Sequence, residues 1–438
     1  MDKINTLILG GGISGIAFSH FYPKNDYLII EKTDRLGGLC KSFKVGDSIF
    51  DYSGHFLHFK NPEIRKYIEK IIAKHATGEF KTYERKAGIV MTDEDGDITR
   101  IIDYPFQANI HQLDKETFIQ CLTDLWDAPL TQTRCNVNLL EKLENPDNFE
   151  EVVRNIFGNA ITDIFFKKYN EKLYCSDLKV ISAYGMKRFI PTVTFDEIIE
   201  NFKTKKEFGY NSTFLYSPTS GIQGLIDAFL KEKPINHSLN ETVIDIDLNA
   251  KIVKTDKRTI TYETLVNTLP LNLFAKLAHQ DDLDLKSVDV DVFNITYEGD
   301  VSPIIKNKCW VYVPDKQIPF YRVGYYNHMS SKEDTSIYVE VSTLTGTDSA
   351  LTLLDIDSAL KKYNFIWDTA KIKDCQRLLV SPAYVILEKN TAEKVSKYRM
   401  SLKEHDVYMT GRYAEWDYVS IEDNIVNAKE LANKLALQ

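Results

Sequence analysis

The chain is poor in the features that mark secreted, membrane-spanning and nucleic-acid-binding proteins. It has six cysteines in 438 residues: Cys40, Cys121, Cys135, Cys175, Cys309 and Cys375. No two of them have metal-ligand spacing and they form no dense framework. This argues against a disulfide-stapled scaffold and a cysteine metal centre; free thiols and no metal are expected. No apolar run approaches the roughly 20 residues of a membrane-spanning helix. The first apolar stretch, Asn5–Leu9, meets glycines at once and is too short for a signal-peptide core. A cytoplasmic protein without integral membrane association is therefore expected. There is no basic excess, since 54 Lys and Arg face 63 Asp and Glu, a net charge of -9. A broad phosphate-binding surface needs the opposite sign, so no nucleic-acid partner is expected. A small anionic ligand needs only a few buried arginines. Internal repeats and low-complexity tracts are also missing.

Apolar residues make up 43% of the chain, and the length suits two or three domains. Asn5–Leu9 reads as a buried strand, Ser14–His20 as a helix and Tyr27–Glu31 as a second strand, a βαβ start. From Pro62 to about Arg188 the pattern is mostly helical, as in Glu63–Lys74, Lys115–Asp127 and Ile161–Tyr169. Short β-rich runs return between Glu241 and Thr268. Further strands follow from Phe293 to Val341, with Phe320–Tyr325 read as one alternating strand that puts Arg322 opposite Tyr321. Val407–Met409 is a last strand, and a helix begins near Ser420. This order predicts an α/β fold with a discontinuous nucleotide-binding domain and inserted substrate-facing parts.

Gly10-Gly11-Gly12-Ile13-Ser14-Gly15 fits G-x-G-x-x-G between a strand and a helix. Gly10 permits the turn, Gly12 lets backbone approach a pyrophosphate, and Gly15 lets the helix pack on the strand. The helix N-terminus offers free N–H groups to the phosphates, with Ser14 in its first turn. Glu31 ends the second strand, where a carboxylate can accept from a ribose hydroxyl. Arg35-Leu36-Gly37-Gly38 then resembles the second fingerprint of the FAD proteins that include amine oxidases, protoporphyrinogen oxidases and UDP-galactopyranose mutases. The resemblance implies a glutathione-reductase-like Rossmann domain holding FAD. It places Arg35 on a cofactor phosphate and Lys32, Gly38 and Leu39 beside the cofactor. It also makes Val243, in Glu241-Thr242-Val243, an adenine contact through its backbone.

The remaining motifs narrow the resemblance. Asp51-Tyr52-Ser53-Gly54-His55-Phe56-Leu57-His58 resembles the Tyr-Gly-Ala-His-x-x-His segment of the UDP-galactopyranose mutase family. Phe166–Tyr174 resembles that family's substrate helix, with Tyr174 where tryptophan is usual. Arg188 falls at the spacing of its mobile-loop arginine. Ser220–Leu225 resembles its Gly-Gly-x-x-x-Leu turn, and Gly411-Arg412 through Tyr418 its Gly-Arg-x-x-x-x-x-Tyr cofactor loop. The blocks follow the family's order from end to end, as in a divergent member.

The resemblance implies a redox-neutral mutase that interconverts pyranose and furanose forms of a nucleotide sugar. N5 of reduced FAD would be the covalent nucleophile at the anomeric carbon, and an external reductant would keep the flavin active. That fits a sequence with no evident side-chain triad. Arg322 and Arg188 would clamp the diphosphate, because guanidinium forks match phosphate oxygens. Tyr384 would bond the same diphosphate. Phe165 and Tyr169, at i and i+4, would flank the base, with Tyr174 and Tyr321 also on the substrate. His55 would pack at the flavin, and Arg412 and Tyr418 would hold the cofactor. Structural readings stand beside these: Phe165 as aromatic core, Arg188 as a solvated charge, Arg322 in an ion pair. The expected domains are 1–60, 205–290 and 385–438 for FAD, 61–204 as a mostly helical substrate domain, and 291–384 as an antiparallel β-sheet substrate domain. A homodimer is compatible with the sequence. The alternatives are an FAD-dependent oxidoreductase transferring a hydride, as in amine or protoporphyrinogen oxidases, and a non-enzymatic protein-binding member of the same superfold.

Overall fold

The computed structural model describes residues 2–128, 146–183, 193–203, 212–280, 283–301, 305, 307–330, 332–347 and 349–437. β1 (Asp2–Leu9), α1 (Ile13–Phe21) and β2 (Tyr27–Ile30) open the chain. Leu7, Ile8, Leu9 and Tyr27–Ile30 are buried, because a parallel strand covered on both faces needs a continuous apolar run. β1 lies at the centre of a seven-stranded sheet, parallel to β2 on one side and to Thr259–Asn267 on the other. Beyond β2 lies His237–Ser238; beyond Thr259–Asn267 lie Ile252–Thr255 and Val243–Asp247, and Val407–Met409 pairs with the C-terminal half of Thr259–Asn267. The strands of this sheet thus come from three separate stretches of chain. The closing helix, Ile421–Ala436, starts with a capping box in which Ser420 and Asp423 satisfy each other's backbone N–H groups.

A second seven-stranded sheet runs in the order 372–385, 287–297, 335–344, 322–325, 310–312, 87–92, 98–103. Its second strand, Ser287–Tyr297, is buried along its whole length. Two of these strands, Ala87–Thr92 and Ile98–Asp103, and the separate strand Lys81–Glu84 fall inside the stretch expected to be mostly helical. The helices expected there are present as Pro62–His75 and Lys115–Asp127. The strand expected over Phe320–Tyr325 begins only at Arg322. Ahead of it, the Lys172 ammonium donates to the carbonyls of Val313 (2.9 Å), Asp315 (2.6 Å) and Phe320 (2.6 Å) and ties the 313–320 loop together. Among the described residues no helix is long and apolar enough to cross a membrane.

Candidate active site

Gly10 leaves β1 at φ +99°, and a Cβ there would run into Thr268 Oγ1. Gly12 is the N-cap of α1 and makes no side-chain cap bond, so the first N–H groups of the helix are left for another acceptor. A Cβ on Gly12 would meet only Gly38 Cα, at 3.9 Å, so the space above it is open. Gly15 is different: its Cβ would collide with the Gly10 carbonyl, as close packing of α1 on β1 requires. Gly38, at φ +56°, brings the second glycine turn against the first, and Gly37 N donates to Gly11 O at 2.7 Å. Glu31 is fixed beside them. Its Oε2 accepts from Gly11 N (2.8 Å) and its Oε1 from Thr33 N (2.9 Å) and Thr33 Oγ1 (2.7 Å). Gly10, Gly12, Ser14, Glu31, Lys32, Gly38 and Leu39 all line a single cavity of about 880 Å³.

The same cavity continues between the two sheets to His55, Phe165, Tyr169, Tyr174, Tyr321, Arg322, Tyr384, Arg412 and Tyr418. The Tyr169 ring stacks on Phe165 at 5.6 Å, which in turn stacks on Phe106 at 5.2 Å. Arg322 Nε and Nη2 grip the Glu340 carboxylate at 2.5 and 2.6 Å, and Nη2 also donates to Ser53 Oγ at 3.1 Å. Ser53 Oγ donates to Glu340 as well. The ion pair therefore exists, and Arg322 lines the cavity too. Tyr321 and Arg322 both face the cavity while Phe320 and Val323 enter a separate apolar core, so the expected opposition of Tyr321 and Arg322 is not found. Tyr321 keeps backbone bonds to Glu340 and Val313, but the regular strand starts only at Arg322. Arg412 has no carboxylate within ion-pair distance among the described residues. Its Nη1 donates to Val419 O at 3.2 Å, its buried Nε is unpartnered, and its guanidinium lies 5.1–5.8 Å from the rings of Tyr384, Tyr413 and Tyr418. Tyr418 donates to the Val385 carbonyl. The Tyr321 hydroxyl and His55 Nδ1 are buried without partners. Burial lowers the His55 imidazole to about 4, with Arg322 and Arg412 adding to the effect and Glu340 opposing it, so the ring is neutral at pH 7.

Three expected contacts are not in this cluster. Arg188 lies outside the described residues. Arg35 is not at the cavity wall: its Nη2 donates to Ser42 O at 2.7 Å and its guanidinium sits 5.3 Å from the Phe43 ring. Val243 is also away from the cavity, half-buried beside Glu241, whose N–H donates to Glu31 O. Glu340, Lys41, Lys172 and the buried amide of Gln107, which lines the cavity, were not foreseen. Arg322 and Glu340 meet as a cross-strand pair, and sequence alone does not set that register. Lys41 could have been noticed as a cation three residues past the Gly37-Gly38 pair.

A family described as an NAD(P)-binding Rossmann-like domain matches residues 8–71. Over 225 residues the chain is 22% identical to dTDP-fucopyranose mutase of Escherichia coli, covering 49% of this chain and 53% of that protein. It is 29% identical over 108 residues to UDP-galactopyranose mutase of Mycoplasma pneumoniae, covering 24% and 25%. The chain thus spans at most about half the length of these curated relatives. A crystal structure of reduced UDP-galactopyranose mutase superimposes with a TM-score of 0.86 at 21% identity, covering 99% of this chain and 94% of that one. The chain is thus similar to pyranose mutases in part of its sequence and shares the fold of one of them. Putrescine oxidase shares the fold more loosely, with a TM-score of 0.66 at 12% identity over 100% and 99% of the two chains.

Proposed function

We propose that this pyranose-mutase relative is a flavin-dependent enzyme interconverting the pyranose and furanose forms of a nucleotide sugar. The observation that carries the reading is the continuity of the cavity. A dinucleotide cradle at one end opens onto cations and tyrosines at the other; the lining cysteine, Cys40, is a thiol that burial pushes up to about 12, and the Ser53 hydroxyl is committed to Glu340 and Arg322. The residues fit FAD: the space over Gly12 is open, the start of α1 is uncapped, and Glu31 is fixed where a ribose would lie. On this reading residues 1–60, 205–290 and 385–438 form the FAD domain, and 61–204 and 291–384 supply the substrate side.

Bound and reduced, FAD would supply a nucleophilic nitrogen for the anomeric carbon. The protein orients the sugar and holds the charge that leaves. With Nε and Nη2 of Arg322 tied to Glu340 and Ser53, its Nη1 carries two donors for diphosphate oxygens. Tyr384 and the unpartnered Tyr321 hydroxyl donate to the same group, and Arg412 adds positive charge nearby. Arg188 enters as the second clamp on sequence resemblance alone. Phe165 and Tyr169 form the platform for the base. His55, neutral, exchanges a hydrogen bond at the cofactor without adding charge. The test is to incubate dithionite-reduced protein with UDP-galactopyranose and dTDP-fucopyranose and look for ring-contracted products. Product formation without net consumption of reductant is expected. Turnover by oxidised protein with matching hydrogen peroxide would establish the oxidoreductase alternative instead.

A further inference from the structure

Lys41 is only 4% exposed and lines the cavity next to Glu31 and Gly38. Its stem runs over Gly37, where a Cβ would lie 3.1 Å from Lys41 Cγ. Its ammonium donates to Thr33 Oγ1, and no carboxylate is within ion-pair distance of it among the described residues. An ammonium has three donors, so two are left beside the cavity, and a buried cation is costly until something accepts from it. Burial lowers its pKa, with Arg35 and Lys32 adding to the effect and Glu31 and Asp34 opposing it. Thr33 passes the contact on, since its hydroxyl reaches Glu31 Oε1 at 2.7 Å. Glu31 can only accept, and Lys41 can only donate. Side by side they suit a ligand rich in hydroxyl and phosphate oxygens.

We propose that Lys41 is a cofactor-binding residue whose ammonium, seated on Thr33 beside Glu31, donates to oxygens of the adenosine-diphosphate half of the dinucleotide. It takes the role that motif spacing gives to Arg35, whose guanidinium is committed to Ser42 O and Phe43. The inference rests on the FAD reading of this cavity. The test titrates deflavinated wild type, Lys41→Met, Lys41→Arg and Arg35→Met with FAD and with FMN, which lacks the adenosine half. Lys41→Met should bind FAD roughly 10- to 100-fold more weakly. Lys41→Arg should recover part of the loss, Arg35→Met should stay within about threefold of wild type, and FMN should bind all four alike. The cofactor-free Lys41→Met protein should melt with wild type. Wild-type FAD affinity in Lys41→Met, or an equal loss for FMN, would overturn the assignment and leave the FAD reading standing. A wild type that binds neither flavin would overturn both.

Discussion

A guanidinium held at two nitrogens by a buried carboxylate can present its third nitrogen in only one direction. Glu340, 1% exposed, gives Arg322 that constraint. Lysine at position 322 would keep the charge but not the planar fork, so it could not hold Glu340 and a diphosphate together. Arg322→Lys is expected to lose about 2–4 kcal/mol of transition-state stabilisation, roughly 30- to 1000-fold in kcat/KM. Flavin absorbance should be unchanged; steady-state kinetics of the reduced variant beside its visible spectrum checks both points. Gly12→Val should do the reverse. It fills the open space over the start of α1 and should strip the flavin while leaving the fold intact. A Gly12→Val protein that purifies fully yellow would remove the cradle from the account. The two residues differ in how readable they are. Gly12 acts through a local turn, and a turn is written in consecutive residues. Arg322 depends on Glu340, 18 residues later on a neighbouring strand, and on Ser53 from a distant loop. Its residue type was legible in the sequence, but the geometry that aims it was not.

At the scale of elements, the substrate side is built by fastening a helix to a hairpin. Lys167–Tyr174 carries Tyr169 and Tyr174, and the strands Trp310–Tyr312 and Arg322–Tyr325 with the intervening residue Tyr321 carry Tyr312, Tyr321 and Arg322. Lys172 joins the two through the three carbonyls of the 313–320 loop, and Lys316 returns to Glu171 at 3.1 Å. Lys172→Met would leave three acceptors facing an apolar chain end. The expected cost is about 2–5 kcal/mol of stability. KM for the nucleotide sugar should rise as well, because both walls of the site lose their common anchor, while FAD stays bound by the first sheet. Thermal melting, KM and flavin content together separate this from a general loss of fold, which would release FAD in parallel. The same anchor explains why Phe320–Tyr325 misled as a sequence pattern. Alternation was read through a segment whose first carbonyl, that of Phe320, is spent on a lysine rather than a neighbouring strand. Ala87–Thr92 and Ile98–Asp103 were missed for a related reason. They are short, and they become strands by pairing with each other and with Trp310–Tyr312, more than 200 residues away.

For the whole molecule, the site exists because two sheets close over one cavity, and packing there and among the helices around His20 buries titratable groups that would otherwise stay in water. Burial lowers the pKa of His20, His55 and His58 to about 4 each. Lys233 reinforces the effect at His20 and Arg85 at His58. A histidine lowered from about 6.5 is neutral when folded and takes up a proton on unfolding between those two values. Its contribution to stability is therefore present above pH 6.5 and is lost as the pH falls towards 4. Asp51 works against this. Buried between Ser42 and the backbone N–H of Ile222, it is pushed up to about 7, so it binds a proton in the folded state that the unfolded chain lacks above about pH 4. Its contribution is present at low pH and is lost as the pH rises through 7. The three histidines outweigh the one carboxyl, and His111 and His328, also lowered by burial, add to the net proton uptake on unfolding. The melting temperature should thus fall steadily as the pH is lowered from 6.5 to 4, well before ordinary surface carboxylates titrate. His20 is the residue to test because it lies outside the cavity, packed against Phe21 and Phe229 with its Nε2 bonded to the Tyr67 hydroxyl. Glutamine there keeps a polar group but cannot take the proton. His20→Gln should lower the melting temperature at pH 7 and lose less of it on acidification, so that the two curves converge towards pH 4. Parallel curves for wild type and variant, or a wild-type melting temperature that is flat between pH 6.5 and 4.5, would show that burial does not hold His20 neutral.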